Sequence, residues 1–251
     1  MRYALKDKFF DNIIVLLLVL STGGLLFVFN RNLTSVLFLI VLLVVVIFSG
    51  VAFKRTILNA AIMTLGAIII LGGINYYYAI VEQTANKYLF YLLTAFLSML
   101  TLFHFKNNRT SEVFLNRLYV VLKLIAFHAF INFILLFFIR NNLTVITSTY
   151  HECETILNLF FYTPERGIVN VFGLEFCRNQ GLFWEPGILQ AFLNILFFLE
   201  AFIIKKSKGL LLFISFLILT TYSTTGIALL LLQVLVFIKS ELNNNKFLLP
   251  I

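Results

Sequence analysis

The scarcest residue types of this chain lie together in ten consecutive positions, 178–187, which read RNQGLFWEPG. They include Arg178, the single tryptophan Trp184, Glu185 and one of three prolines, Pro186, directly ahead of a long apolar run. Proline suits the first turn of a helix, where its missing N–H is not needed. A cation and a carboxylate at the positively polarised start of a helix could bind an anion and deprotonate a hydroxyl group.

A purely structural interpretation of the same stretch is also open. Trp184 fits the aromatic belt at a membrane surface, and Glu185 fits the positive end of a helix dipole. That interpretation leaves Arg178, Gly181 and Gly187 without a role. It also leaves unexplained why glutamate stands where Asp, Ser, Thr or Asn would cap the helix better.

A second polar segment, T-x-S-x-x-G, interrupts the apolar sequence at residues 221–226. Residues 209–238 could form one helix about 45 Å long, which would separate Lys208 from Lys239 across a membrane. We favour a helical hairpin that turns at 223–226. Each arm would then reach only about 20–25 Å, short of the roughly 30 Å hydrocarbon core. The turn would therefore line a recess that opens to the outer face.

Composition indicates that these segments lie in lipid. Of 251 residues, 61% are hydrophobic and 12% charged, with a mean hydropathy of +1.00, whereas soluble domains carry about 25% charged residues. We predict an all-α polytopic membrane protein, a single integral membrane domain over 1–251, with about eight transmembrane helices and an uncleaved first helix. The predicted segments are about 13–29, 34–53, 56–74, 88–105, 118–139, 186–204, 209–222 and 226–238.

The distribution of lysine and arginine predicts the orientation. With the N-terminus inside, fourteen of the nineteen fall on the inner side, as the positive-inside rule requires. The same rule explains the net charge of +8 without a nucleic-acid partner. One outer loop is long, 140–185, and it contains Arg140, His151, Arg166 and both cysteines, Cys153 and Cys177.

Two motifs carry a resemblance to a known family. The pattern R-x-x-G-x-F-x-E-P-G at 178–187, heading a membrane helix, and T-x-S-x-x-G at 221–226 resemble the O-antigen polymerase and ligase superfamily, most closely Wzy-type polymerases of capsule and O-antigen repeat units. The resemblance covers about 118–238. Many relatives, ligases especially, carry an arginine after the turn serine, where this chain has Thr224.

The resemblance implies a metal-independent glycosyltransferase of the GT-C type that needs no cofactor. It would polymerise undecaprenyl-diphosphate-linked repeat units at the outer face of the bacterial inner membrane. Flippase and chain-length regulator proteins are the further partners that it suggests. The sequence agrees in one respect: its only aspartates, Asp7 and Asp11, lie at the N-terminus, so it contains no DxD metal motif.

We assign roles to the polar residues on this basis. Arg178 would hold the diphosphate, with Arg166 or Arg140 as a second clamp, because arginine binds oxyanions bidentately. Glu185 would accept the proton of the acceptor hydroxyl, with His151 as the second choice. The remaining predicted substrate-binding residues are Trp184, Gly181, Ser223, Thr224 and Thr225.

Several alternatives stay open. An O-antigen ligase, a transporter or flippase of a lipid-linked or anionic substrate, and a structural membrane subunit are the competing functions. Members of the family have ten or more spans, so the chain is either a truncated product or a short divergent member. Cys153 and Cys177 form a disulfide or remain thiols.

Two polar clusters have competing interpretations. His128 and Asn132, one turn apart, either mark a pathway or, as we favour, form hydrogen bonds between helices. Residues 151–154, His-Glu-Cys-Glu, could bind a metal ion, but four consecutive side chains cannot easily converge on one ion.

Overall fold

A computed structural model describes residues 5–48, 54–80, 84–139, 142–147, 152–163, 168–171, 174–204 and 207–246. Helices precede and follow a β-rich segment. The first helices are α1 (Leu5–Ser21), α2 (Leu25–Phe29), α3 (Arg31–Phe48), α4 (Arg55–Tyr77), α5 (Ala85–Asn108) and α6 (Ser111–Ile139). The strands are β1 (Thr144–Thr147), β2 (Glu152–Ile156), β3 (Phe160–Tyr162), β4 (Ile168–Val171) and β5 (Leu174–Cys177). The last helices are α7 (Pro186–Phe198), which continues as a π-helical segment (Leu199–Ile204), α8 (Lys208–Thr220) and α9 (Thr224–Lys246).

Among the described residues, six helices are long and apolar enough to cross a membrane: α3, α4, α5, α6, α7 with its π-helical segment, and α9. These helices carry large apolar side chains that remain exposed among the described residues, such as those of Ile47 and Phe48. Helix α4 buries none of its side chains, so its surface is suited to lipid rather than water. The prediction of a helical, multi-pass membrane protein is confirmed.

The predicted span 13–29 is wrong, because the chain breaks there. Helix α1 ends at Ser21, Gly23 has a φ of 146°, and α2 has only five residues. Glycine tolerates this backbone conformation, which other residues rarely adopt. Helix α8 is short, about 20 Å at 1.5 Å per residue, as predicted for that arm of the hairpin. The second arm was predicted to be equally short, but α9 has 23 residues and is long enough to span. The described helices of spanning length number six rather than eight.

The chain divides into two compact units, Met1–Val121 and Leu122–Ile251. In the first unit, buried ionic side chains connect α1 to the end of α5. The carboxylate of Asp11 accepts a hydrogen bond from Arg109 Nε at 3.2 Å and lies 3.5 Å from His104 Nε2. Asp11 is fully buried, so these partners replace the water that its charge would otherwise need.

The second unit contains the remainder of α6, the strands and α7–α9. Strands β1, β2 and β3 form an antiparallel sheet in that order, and β4 pairs with β5. In β2, Cys153 and Thr155 are buried between more exposed neighbours, which is the alternation expected of a strand with one covered face. The sequence analysis treated 140–185 as a loop and did not predict these strands.

Helix α7 begins where its sequence predicts and continues into the π-helical segment. Pro186 occupies the first turn, which confirms the predicted helix start. At the other end Glu200 is buried, and its carboxylate accepts the Ser207 N–H at 2.6 Å.

Candidate functional site

The two polar segments identified in the sequence meet at the end of α8. Arg178 Nε donates to the carbonyl oxygen of Thr221 at 3.0 Å, and the backbone N–H of Asn179 donates to the carbonyl of Thr220 at 3.0 Å. The last carbonyls of a helix lack intrahelical donors and carry partial negative charge. Arg178 and Asn179 therefore cap α8 from a distant part of the chain.

The turn between α8 and α9 is three residues long. It comprises residues 221–223, two positions earlier than predicted, and Tyr222 adopts a φ of 47°. Thr224 and Thr225 are not turn residues but the first residues of α9, and both are exposed. Ser223 is buried, and its Oγ lies 3.2 Å from the Thr225 hydroxyl. The threonines thus stand at a helix N-terminus, where unpaired N–H groups favour anions.

Asn179 anchors the candidate site, although the sequence analysis gave it no role. Its buried amide nitrogen lies 3.0 Å from the Ala129 carbonyl of α6 and 3.1 Å from the Thr220 hydroxyl, and donates to both. Its amide oxygen accepts the Gly181 N–H at 3.2 Å. One signal was available in the sequence: a polar amide in an apolar chain commonly forms hydrogen bonds between helices.

Gln180 is the second residue that the sequence analysis missed. It is fully buried, and its Oε1 accepts a hydrogen bond from the Thr163 hydroxyl at the end of β3. Within the described part of the chain, its Nε2 has no hydrogen-bond acceptor. Gln180 therefore connects the β-rich segment to the candidate site.

The motif glycines have steric explanations. Gly181 has a φ of 55°, and an added Cβ would lie 3.3 Å from Ala129 Cβ. A Cβ at Gly226 would lie 2.5 Å from Gln190 Oε1. The Gly226 carbonyl also accepts a hydrogen bond from Asn194 Nδ2 at 3.3 Å. These glycines permit close approach of the polypeptide segments around the site.

Glu185 and Trp184 lie at the exposed start of α7. Glu185 is the N-cap residue, but its side chain does not cap the helix by a hydrogen bond. Its Oε1 lies near the first turn, 3.7 Å from where a Cβ on Gly187 would be. Both residues are exposed. Although both Arg178 and Glu185 are among the described residues, no ion pair joins them.

Three predicted site residues, Arg140, His151 and Arg166, lie outside the described residues. The possible metal-binding stretch 151–154 includes His151. In the ranges that the structure covers, no three His, Cys, Asp or Glu side chains are grouped so that they could hold a metal ion.

No disulfide joins Cys153 to Cys177, and both thiols are buried. Burial, with a smaller contribution from the negative charge of Glu154, raises the pKa of Cys153 to about 12. Because the thiolate is the reactive form, the raised pKa lowers the reactivity of Cys153 at neutral pH.

His128 and Asn132 bond to the β3 segment rather than to another helix. His128 Nε2 lies 2.9 Å from the Leu159 carbonyl, and the Asn132 side chain exchanges two hydrogen bonds with the backbone of Phe161. The expected interhelical hydrogen bonds are therefore replaced by contacts from a helix to a hairpin.

These features define a multi-pass helical membrane protein with a buried polar cluster in its second unit, between α6, α7, the end of β3 and the turn between α8 and α9. No protein-family model, curated protein or solved structure matches this chain.

Proposed function

We propose that this protein is a metal-independent glycosyltransferase that polymerises undecaprenyl-diphosphate-linked oligosaccharide repeat units at the outer face of the bacterial inner membrane. The observation that carries the proposal is the position of Arg178. Its Nε is fixed on the Thr221 carbonyl, and within the described residues its two Nη groups form no hydrogen bond. A guanidinium held at one edge can offer the other edge to a phosphate in the bidentate geometry that lysine lacks.

The start of α9 supplies further groups for an anion. Thr224 and Thr225 follow directly after the turn that contains Thr221, and they contribute exposed hydroxyls as well as N–H groups at a helix N-terminus. Arg178 and this helix start would together stabilise the negative charge that develops on a departing diphosphate. Electrostatic stabilisation of this kind is commonly the largest catalytic effect in such reactions.

Glu185 is the proposed general base. As the acceptor hydroxyl oxygen forms its bond to the anomeric carbon, the bond from that carbon to the diphosphate oxygen breaks, and the electron pair leaves with the diphosphate. The hydroxyl proton passes to the Glu185 carboxylate. The exposed position of Glu185 at the start of α7 makes its side chain accessible to an acceptor sugar.

The glycan ladder of a deletion strain complemented with single variants tests this function. Arg178→Ala and Arg178→Lys should both leave single repeat units on the acceptor, because neither side chain can hold a phosphate bidentately. Arg55→Ala, which removes an exposed arginine at the start of α4, is the matched control and should give the wild-type ladder.

The amount of membrane-inserted protein is measured for each variant, so that loss of polymer is not confused with loss of protein. Near-normal chain length in both Arg178 variants would reject the proposed diphosphate contact. A deletion strain that retains its full ladder would reject polymerisation itself, and one that lacks even the single unit would favour a ligase.

A further inference from the structure

The β2–β3 hairpin has an unusual arrangement along its outer edge. An edge strand normally exposes unpaired backbone groups, but β3 is covered there by side chains of α6. Asn132 Oδ1 accepts the Phe161 N–H at 3.2 Å and Asn132 Nδ2 donates to the Phe161 carbonyl at 3.3 Å, as a neighbouring strand would. The Tyr162 hydroxyl donates to the Asn132 carbonyl at 2.9 Å.

The same pattern continues to the tip of the hairpin. The Leu159 carbonyl accepts a hydrogen bond from His128 Nε2 at 2.9 Å, and the Phe160 carbonyl accepts one from the Thr155 hydroxyl at 2.9 Å. Internal partners for these backbone N–H and C=O groups matter little in water, where solvent molecules can form the hydrogen bonds. They are essential in hydrocarbon, where an unpaired backbone group costs several kcal/mol.

The partners on α6 place the hairpin at membrane depth. Residues 124–139 of α6 contain no Lys, Arg, Asp or Glu, so this part of the helix must cross the hydrocarbon core. His128 precedes the last residue of α6, Ile139, by eleven positions, which is about 16 Å along the axis. The hairpin tip therefore lies near the middle of a core about 30 Å thick.

Two of the three side chains at the tip, Leu157 and Leu159, are apolar, and the polar Asn158 lies between them. Leu157 and Asn158 have φ values of 56° and 52°, and the Leu159 N–H closes the turn on the Ile156 carbonyl at 3.2 Å. Turns with two left-handed residues prefer Asn, Asp or Gly at those positions. The backbone conformation therefore does not explain why residue 157 is a leucine. Leu157 is 78% exposed and Leu159 is 56% exposed.

We propose that the β2–β3 hairpin is a re-entrant element of the membrane domain, and that its tip, residues 157–159, contacts the hydrocarbon chains of bilayer lipids at mid-depth. His128 and Asn132 are positioning residues that satisfy its backbone there. The proposal departs from the expectation that all of 140–185 lies outside the bilayer. The test of this proposal measures the depth of the hairpin and not glycan transfer, so it can fail while the proposed polymerase activity stands, and the reverse.

Depth-dependent fluorescence quenching tests the proposal in the full-length protein reconstituted in liposomes. Leu157→Cys is labelled with an environment-sensitive fluorophore in a background where Cys153 and Cys177 are replaced by alanine. Lipids brominated at shallow or deep chain positions and aqueous iodide are the quenchers. The label at 157 should lose more fluorescence to deep bromines than to shallow ones, and little to iodide.

Two positions on the exposed side of α6 provide the matched references. Phe127→Cys lies beside His128 and Phe138→Cys lies near the outer end of the helix; these phenylalanines are 59% and 80% exposed. The profile at 157 should match that at 127 and be deeper than that at 138. Strong quenching at 157 by iodide, or a profile as shallow as that at 138, would overturn the proposal. Matching elution volumes of the labelled proteins verify that each variant is folded.

Discussion

Arg178 donates its Nε–H to the carbonyl oxygen of Thr221 over 3.0 Å, although the two residues are 43 positions apart in the sequence. This hydrogen bond brings the R-x-x-G-x-F-x-E-P-G segment to the turn between α8 and α9. The two motifs that support the family resemblance are therefore parts of one polar cluster. Glu185 takes no part in the contact between the two motifs and lies at the exposed start of α7.

Replacing Glu185 with glutamine tests its role as a base. Glutamine keeps the shape of the side chain but cannot accept the hydroxyl proton, and general-base catalysis contributes about 100-fold to 10,000-fold to a rate. We expect Glu185→Gln to lower polymer formation by about 100-fold or more, with normal protein abundance. Equal polymerisation rates for wild type and Glu185→Gln, measured with purified protein, would show that another group takes the proton.

Replacing Gly226 with alanine should destabilise the second unit. The new Cβ would lie 2.5 Å from Gln190 Oε1 and 2.9 Å from Gln190 Cδ, so Gln190 and its hydrogen bond to Asn194 must shift. Overpacking of this kind costs about 1–3 kcal/mol.

Gly66→Ala is the control for this substitution, because nothing lies within 4 Å of the position of its added Cβ in α4. It should be neutral or slightly stabilising, since alanine favours a helix over glycine. Thermal unfolding in detergent, followed by size-exclusion chromatography, compares the two variants. A Gly226→Ala protein as stable as Gly66→Ala would contradict the close approach at Gly226.

Removing the Asp11 carboxylate should weaken the first unit. Asp11→Ala leaves Arg109 and His104 without their buried partner, and breaking a buried ion pair from one side costs about 3–5 kcal/mol. Glu112→Ala, at an exposed acidic residue that starts α6, is the control and should have little effect. The same unfolding measurement applies, and equal loss of stability in both variants would rule out a special contribution from Asp11.

Cys153 should resist alkylation in the folded protein. Its pKa is raised from 9.0 to about 12, so at pH 8 a far smaller fraction of this thiol is ionised than of an unperturbed thiol. Iodoacetamide at pH 8 should therefore modify Cys153 far more slowly in folded than in unfolded protein, as mass spectrometry of the peptide would show. Similar rates in both states would contradict its buried environment.

The same pKa shift predicts how stability depends on pH. Because the folded state holds the thiol proton more tightly than the unfolded state, the contribution of Cys153 is complete below pH 9. It is lost as the pH rises from about 9 toward 12. Cys153→Ala should lack this component of the alkaline loss of stability, and an unchanged pH profile would contradict the assignment.

The sequence predicts the membrane class well, because that class depends on local composition. Long apolar runs predict α3 to α6, and the Pro186 position predicts the start of α7. The break after α1 was missed because Ser21, Thr22, Gly23 and Gly24 form only a short interruption between two apolar runs. The short arm α8, with 13 residues, agrees with the predicted hairpin, but the 23 residues of α9 exceed the predicted 226–238 because the helix continues into polar residues.

The candidate site was only partly predictable for a different reason. Arg178 and residues 221–226 stood out by rarity, but Asn179 and Gln180 act through partners on α6, β3 and α8 that only the folded chain brings near. The hairpin was missed because its strands are three to five residues long. Its edge partners, His128 and Asn132, are distant in sequence, so their helical spacing suggested only a shared face of α6.

Reconstitution of glycan transfer is the most direct test of the proposed activity. Purified protein in liposomes is given undecaprenyl-diphosphate-linked single repeat units, and glycan length and released undecaprenyl diphosphate are measured together without added metal. We predict that wild-type protein makes chains of several units with one undecaprenyl diphosphate released per new bond, and that Arg178→Lys makes none. Movement of the substrate across the membrane without new glycosidic bonds, or equal chain growth by wild type and Arg178→Lys, would contradict the proposed polymerase activity.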